Sequence, residues 1–274
     1  MFSSMLQNVR HTHPLVHNIT NYVTANDCAN ILLACGASPI MADDPQEAAQ
    51  ITAQCAGLHL NLGTLHTYTI PAMRSAGKAA NRHHIPVVLD PVGVGASAFR
   101  MQTARALLDE IRFCTIRCNL SELRALMQDT SSHARGVDAS PIDRIDASTL
   151  DAAVASAKNA AKKFGCVIAV TSAIDIVADE KTAFCIRNGD ARMRLVTGTG
   201  CQLSAMTTAY LAANDEHPLE AVAASVAAMG LCGQLAAARM QPQDGSGSYR
   251  AYMIDAVSNL TGEQLKKGAD YEVR

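Results

Sequence analysis

Short runs of apolar and β-branched residues alternate with helical patterns through the middle of the chain. The runs that read as buried strands are LHLNL (58–62), IPVVLD (85–90), FCTIR (113–117) and CVIAVT (166–171). The segments between them with apolar or alanine positions at helical spacing are 68–83, 98–111 and 148–164. This order predicts an α/β fold with a largely parallel central sheet covered by helices on both faces.

Beyond the last of these strands the pattern changes twice. Segments 173–179 and 181–189 are strand-like and separated by a short turn, which predicts a hairpin that continues the sheet at an edge. From Cys201 onward the pattern is almost all helical. The helices predicted there are 201–213, 218–240 and 248–260, the second with Pro218 in its first turn.

The remaining segments are less regular. Residues 36–41, GASPIM, read as a turn after an apolar helix, and the polar residues 128–146 predict a loop or local insertion. The chain shows no internal repeat. Its 274 residues permit one large domain or two small ones, and we expect a single domain over residues 1–274.

Charge and cysteine usage narrow the function class. Lys and Arg number 23 against 25 Asp and Glu, so the net charge of −2 provides no field that would attract nucleic acid or an anionic membrane. A small, weakly charged partner is expected instead. The nine cysteines lie mostly among apolar residues without CxxC spacing, which is typical of reduced thiols in a cytoplasmic protein.

Two segments bear on membrane association. Residues 221–238 carry no charge, but they are mostly Ala, Gly and Ser and lack an aromatic belt, which favours a buried helix over a membrane span. The N-terminus, with Arg10 and three nearby histidines, does not resemble a secretory signal. No membrane partner is expected.

Candidate chemistry lies at the predicted strand ends, because ligands of parallel α/β sheets bind beyond the carboxyl ends of the strands. Asp90 ends the strand 85–90 and precedes a Pro and two glycines. A carboxylate in this place suits Mg²⁺ bound partly through water. A turn- or helix-capping role for Asp90 is an equal alternative.

The next strand leads into IRCNLSEL, which holds three polar candidates. Arg117 can grip phosphate oxygens, and Glu122 can offer a second carboxylate to the same metal. Alternatively, Asn119 or Ser121 is a helix N-cap and Glu122 complements the helix dipole. Thr171 places a hydroxyl at a third strand end.

The stretch VTGTGCQLSA (196–205) places two glycines before a helix predicted to be amphipathic, with Leu203, Met206 and Tyr210 on one face. Free backbone N–H groups at such a helix start form an anion site, which suits phosphoryl transfer. The stretch matches neither GxGxxG nor GxxxxGK[ST]. A plain glycine-rich helix start is the alternative.

The N-terminal region contributes two further candidates. Asn21 belongs to a polar cluster, and Met41 follows Pro39 at the end of GASPIM. A methionine is a flexible apolar wall for a small ring, although most methionines are core residues.

Seven motifs, in this order, resemble the hydroxyethylthiazole kinase family of the ribokinase-like superfamily. They are ITNYVTANDCANILLACGASPIMAD, NLGTL, LDPVGVGAS, IRCNLSEL, GVD, VTGTGCQLSA and GSGSY, and they extend from about residue 12 to about residue 260. The resemblance implies a ribokinase-like fold without a lid. It also implies ATP-dependent phosphorylation of 4-methyl-5-(2-hydroxyethyl)thiazole in thiamin salvage, with Mg²⁺. Members are homotrimers with active sites between neighbouring subunits.

The motifs assign roles residue by residue. The positions implied for ATP are Arg117, Thr171 and Asn119; for the substrate, Met41, Gly198 and Asn21; for the metal, Asp90 and Glu122; and for catalysis, Cys201, Gly200 and Thr199. At a helix N-terminus the Cys201 thiol is expected to ionise more readily than a free thiol and to act as a weak base. The alternative is a small residue that fits the turn.

The chain differs from the family pattern at two positions. Two other functions are also consistent with the sequence. Cys118 and Ser172 stand where the family usually has glycine, and both are expected to add a side chain beside the nucleotide phosphates. One alternative is a related kinase of a hydroxymethylpyrimidine or pyridoxal-type alcohol, although those relatives commonly carry aspartate at the position of Cys201. The other is a non-catalytic sensor that binds nucleotide or thiazole.

Overall fold

A nine-stranded sheet forms the centre of the computed structural model, which describes residues 1–128 and 145–274. The strands are β1 Leu15–Ile19, β2 Ser38–Met41, β3 Gly57–Asn61, β4 Val87–Asp90, β5 Thr115–Asn119, β6 Val167–Thr171, β7 Asp175–Ala178, β8 Ala183–Ile186 and β9 Tyr271–Val273. Their order in the sheet is β2-β1-β3-β4-β5-β6-β7-β8-β9. The pairs from β2 to β6 are parallel and those from β6 to β9 are antiparallel.

Helices cover both faces of the sheet. They are α1 Phe2–Thr12, α2 Ala25–Cys35, α3 Ala48–Thr52, α4 Thr69–Arg82, α5 Ala98–Glu110, α6 Leu120–Met127, α7 Leu150–Phe164, α8 Thr199–Ala212, α9 Pro218–Arg239, α10 Ser246–Asn259 and α11 Gly262–Gly268. Buried side chains of α1, α2 and α8 to α11 form one hydrophobic core, and those of α3 to α7 form the other. The prediction of a largely parallel sheet between two helical layers is confirmed.

The uncharged segment 221–238 lies within α9. By length and composition α9 could span a membrane, with a mean hydropathy of 1.6 in its most apolar stretch, but 78% of that stretch is buried in the protein. Gly230 allows this packing, because a Cβ there would lie 2.6 Å from the carbonyl oxygen of Asn188. The prediction of a buried helix is confirmed.

Several predicted elements differ from the structure. The turn predicted over 36–41 is wrong, since Gly36 ends α2 with φ at 99° and Ser38–Met41 is the edge strand β2. The amphipathic pattern predicted for α8 is also wrong, because every residue from Cys201 to Leu211 is buried. α8 packs between the sheet, α2 and α9, which removes any solvent face. The predicted loop 128–146 and the GVD motif (136–138) lie largely or wholly outside the described residues.

Candidate active site

The carboxyl ends of the parallel strands meet at one edge of the sheet, and the N-terminus of α8 reaches the same edge. β3 and β4 are in register there, with Asn61 opposite Asp90. β5 and β6 are likewise in register, with Asn119 opposite Thr171. The polar residues predicted from separate strand ends therefore converge, as the parallel arrangement requires.

Asp90 is fully buried at the centre of this group. Its Oδ2 accepts hydrogen bonds from Ser204 Oγ at 2.8 Å and from Asn61 Nδ2 at 2.9 Å. Its Oδ1 lies 3.5 Å from Arg117 Nη1, and no hydrogen bond to Oδ1 is found among the described residues. Burial raises the pKa of Asp90, although Arg117 and the two hydrogen bonds oppose the shift.

Arg117 lies against two other predicted residues, Thr171 and Gly200. Its Nη2 donates to Thr171 Oγ1 at 2.6 Å, and its side chain is only 12% exposed. A Cβ on Gly200 would lie 2.5 Å from Arg117 Nη1. Only glycine lets the start of α8 approach the guanidinium this closely, so the positive group and the helix N-terminus form one anion-binding corner.

Glu122 and Asn119 form a capping box at the start of α6. Asn119 Oδ1 accepts from the Glu122 N–H at 2.8 Å, and Glu122 Oε2 accepts from the Asn119 N–H at 2.8 Å. Glu122 Oε1 accepts from the Gly93 N–H at 2.8 Å. Asn119 is therefore the N-cap of α6. The bond from Gly93 also ties the loop after β4 to α6. Burial and the nearby Asp90 raise the pKa of Glu122.

These carboxylates fit a hydrated magnesium ion. Asp90 Oδ1 is a buried acceptor that keeps free lone pairs, and each Glu122 oxygen uses one of its two acceptor positions. Within residues 1–128 and 145–274 there is no group of three His, Cys, Asp or Glu side chains able to hold a metal. Few protein ligands and several waters are the usual arrangement for Mg²⁺ at a phosphate site.

The N-terminus of α8 presents main-chain donors at this corner. The Gln202 N–H bonds to the Gly198 carbonyl at 2.9 Å, so the N–H groups of residues 199–201 precede the first bond within the helix. Gly198 is the N-cap, with φ at 83°. Thr199 Oγ1 donates to the Met193 carbonyl at 3.4 Å. The N–H groups that were predicted to form an anion site therefore lie beside Arg117.

Cys201 is 7% exposed and lies among carboxamides. Its Sγ accepts from Asn21 Nδ2 at 3.4 Å and from Asn61 Nδ2 at 3.3 Å. Burial and the nearby Asp90 raise the pKa of Cys201. The expectation that this thiol ionises more readily than a free one is wrong, because desolvation and a neighbouring carboxylate outweigh the helix dipole.

A cleft of roughly 190 Å³ opens next to this group. Its lining includes Asn18, Thr20, Tyr22, Met41, Asn61, His66, Tyr68 and Met73. Met41, at the end of β2, is 39% exposed and faces this space. His66 stacks between Tyr22 and Tyr68, with ring centroids 5.9 and 5.1 Å apart. The cleft thus has an apolar and aromatic wall suited to a small ring.

The two departures from the family pattern have different surroundings. Cys118 is fully buried in the core of α3 to α7, on the face of β5 opposite Arg117, so the expectation that it adds a side chain beside the phosphates is wrong. Ser172 Oγ accepts from the Ile145 N–H at 2.8 Å, and the Ser172 N–H donates to Asp175 Oδ1 at 2.8 Å. Burial raises the pKa of Asp175 to about 7.

Three residues of the group were not predicted from the sequence. Asn61 and Ser204 bind Asp90, and Thr24 packs against Gly198, with its Cγ2 2.3 Å from the position of a Cβ there. The sequence did indicate Asn61, since a polar residue at the end of a buried parallel strand lies at the edge of the sheet where ligands bind. It did not indicate Ser204 or Thr24, because their partners are distant in sequence.

Comparison with solved structures defines the class of protein. The chain matches the pyridoxal kinase of Staphylococcus aureus in complex with AMP-PCP with a TM-score of 0.60 at 15% identity, over 95% of this chain and 97% of that one. At this identity the likeness shows the fold alone. Together with the order of the strands, it defines an α/β protein with a ribokinase-like fold.

Closer relatives narrow the class to a family. The model of the hydroxyethylthiazole kinase family matches residues 6–263. A hydroxyethylthiazole kinase of Clostridium acetobutylicum is 56% identical over 99% of both chains. The structure of a hydroxyethylthiazole kinase protein from Pyrococcus horikoshii matches with a TM-score of 0.87 at 30% identity, over 100% of this chain and 98% of that one. The chain belongs to the hydroxyethylthiazole kinase family.

Proposed function

We propose that the chain transfers the γ-phosphoryl group of ATP to the hydroxyl of 4-methyl-5-(2-hydroxyethyl)thiazole. The observation that carries this proposal is that Asn61 lines the same cleft as Met41 and also bonds Asp90 and Cys201 of the converged polar group. The proposal places the heterocycle in this cleft and the phosphate groups at Arg117. Family membership supports the same substrate pair.

The nucleotide phosphates lie, in this proposal, against Arg117, with Thr171 and Asn119 as neighbours at the ends of β6 and β5. Arg117 neutralises negative charge on the phosphate oxygens. The N–H groups of residues 198–201 hold the transferring group as its charge redistributes. Phosphoryl transfer depends mostly on such positioning and electrostatics.

Asp90 and Glu122 are the proposed holders of Mg²⁺, partly through water. When bound, Mg²⁺ would supply positive charge that offsets the negative charge of the nucleotide phosphates. The protein keeps Asp90 oriented through Ser204 and Asn61, and it keeps Glu122 oriented through the capping box. Both carboxylates are therefore held in place before ligands arrive.

The alcohol is proposed to lie between Met41, Asn21 and Gly198, with its hydroxyl toward Cys201. Cys201, Gly200 and Thr199 are the proposed catalytic positions, because they form the first turn of α8. With its pKa raised by burial, Cys201 contacts the hydroxyl as a neutral thiol. A loose transition state makes the alcohol acidic only late, so no strong base is required.

Exchange of Cys201 for serine tests this role. We expect Cys201→Ser to lower kcat by less than about tenfold and to leave the pH profile of kcat unchanged, because a neutral hydroxyl replaces a neutral thiol. The measurement is steady-state kcat between pH 6 and pH 9 (roughly the range in which thiols titrate). If kcat rises with pH in the unchanged protein and this rise is absent in the variant, a thiolate base operates.

The assembly and cellular setting also belong to the proposal. Tyr22, Val23 and Tyr68, beside the cleft, are 73%, 55% and 61% exposed. Large apolar side chains exposed together favour cover by another subunit, which supports a homotrimer with shared active sites. We further propose that the chain is a single domain, acts in the cytoplasm and serves thiamin salvage; its nine cysteines are all free thiols.

Release of ADP separates this kinase from a non-catalytic sensor. Purified protein with Mg²⁺, ATP and hydroxyethylthiazole should release ADP in amounts equal to the phosphorylated thiazole. The matched reaction without thiazole measures background ATP hydrolysis. Binding of both ligands in calorimetry without ADP release would establish the sensor instead.

A further inference from the structure

Asn61 connects the carboxylate of the candidate site to its thiol. It ends β3, directly opposite Asp90 in the sheet, and is 2% exposed. Its Nδ2 donates to Asp90 Oδ2 at 2.9 Å and to Cys201 Sγ at 3.3 Å. One carboxamide nitrogen therefore binds groups that come from β4 and α8.

The carbonyl oxygen of the same side chain is also fully engaged. Asn61 Oδ1 accepts from Asn21 Nδ2 at 2.9 Å and from the Gly63 N–H at 2.8 Å. An asparagine carboxamide has two N–H donors and two acceptor lone pairs, and all four are used here. Asn61 thus lines the cleft but has no free donor or acceptor for a ligand.

The surrounding chain fixes this side chain in one orientation. The N–H of Gly63 can bond Oδ1 only because the turn after β3 is tight, and a Cβ on Gly63 would lie 2.7 Å from Asn21 Nδ2. Asn61 Oδ1 must face the donors Asn21 and Gly63. Asn61 Nδ2 must face the acceptors Asp90 and Cys201. The amide cannot turn over without losing all four bonds.

We propose that Asn61 is a positioning residue that sets the orientation of the Asp90 carboxylate and the Cys201 sulfur toward the alcohol substrate. The inference rests on the proposed function, because Asn61 acts through Asp90 and Cys201, which are residues of the proposed site. Asn61 does not contact the reacting atoms. A fully bonded amide holds its partners more rigidly than water would, and loss of such an orienting contact typically costs activity rather than binding.

The variant Asn61→Asp tests the proposal, since it keeps the shape but replaces two N–H donors by an acceptor. We expect kcat to fall roughly 10- to 100-fold, while KM for hydroxyethylthiazole changes little. A second readout needs neither metal nor nucleotide: alkylation of Cys201 by iodoacetamide at a fixed pH, followed by peptide mass. It should slow severalfold, because the sulfur loses a donor that favours the thiolate.

Asn188→Asp is the matched control. Asn188 is also buried, and its Nδ2 donates to Gln234 Oε1 at 2.9 Å and to the Gly268 carbonyl at 2.8 Å, but it follows β8 at the antiparallel end of the sheet. This control should lose stability without a change in kcat or in Cys201 alkylation. If Asn61→Asp does not fold, Asn61→Ser, which also cannot bridge both partners, is expected to show the same two effects.

Two results would overturn the inference: a folded Asn61 variant with kcat and Cys201 alkylation as in the unchanged protein, or equal effects in Asn188→Asp. Failure of the proposed function is a separate result. If the unchanged protein forms no phosphorylated thiazole, the alkylation comparison still shows whether Asn61 orients Cys201.

Discussion

Replacing Gly198 by valine is expected to lower kcat at least about a hundredfold in a protein that still folds. Gly198 has φ at 83°, a region that β-branched residues avoid, and a Cβ there would lie 2.3 Å from Thr24 Cγ2. Thr24 is buried and precedes α2, which is packed against α8, so we expect the valine to displace the N-cap of α8. That movement carries the N–H groups of residues 199–201 away from Arg117. Steady-state kcat and circular dichroism measure the two effects.

Gly165→Val separates backbone strain from displacement of the site. Gly165 ends α7 with φ at 64°, and no heavy atom of the described chain lies within 4 Å of a Cβ there. This control should lose about 1–2 kcal/mol of unfolding free energy and keep its kcat. Full activity of Gly198→Val would remove the start of α8 from the mechanism.

Replacing Arg117 by methionine is expected to damage both activity and stability. We expect kcat to fall by roughly a thousandfold or more, because the phosphate charge loses its cationic partner. Unfolding free energy should fall by about 3–5 kcal/mol, since Asp90 is left buried without its counterion. Denaturant unfolding and steady-state kinetics measure the two losses.

A second substitution at Asp90 distinguishes the causes. In the background of Arg117→Met, Asp90→Asn removes the unpaired buried charge and should recover part of the stability but none of the activity. Arg239→Met is the surface control, because its pair with Asp255 is about half exposed and is worth less than about 1 kcal/mol. Unchanged stability of the Arg117 variant would contradict the electrostatic description of Asp90.

The fold was predictable where burial made the sequence pattern continuous. β3 to β6 are buried on both faces and read as apolar runs, and the hairpin of β7 and β8 follows from its turn. β1 was missed because His17 and Asn18 interrupt it; both are buried, and His17 is satisfied by Thr52 Oγ1 at 2.8 Å and the Ala42 carbonyl at 2.7 Å. Such distant partners leave no mark in the local pattern. β9 has three residues and depends on pairing with β8.

The site residues at the strand ends were predictable from the sequence, but the direction of the pKa shift of Cys201 was not. Asp90, Arg117 and Thr171 follow from the rule that ligands bind beyond the carboxyl ends of parallel strands. The pKa of Cys201 depends on burial by the whole fold, which the helix position alone does not reveal. The error at Cys118 was avoidable, because adjacent residues of a strand point to opposite faces and Arg117 fixes which face holds the site.

The specificity constant, kcat/KM, for three alcohols tests the central claim most directly. One preparation is incubated with Mg²⁺, ATP and, separately, hydroxyethylthiazole, hydroxymethylpyrimidine or pyridoxal, and the phosphorylated product is identified by mass. We predict that the thiazole gives the largest kcat/KM, by at least about tenfold, because a neutral Cys201 and the Met41 wall suit a small ring. Phosphorylation of the pyrimidine or pyridoxal alone would contradict the proposed function.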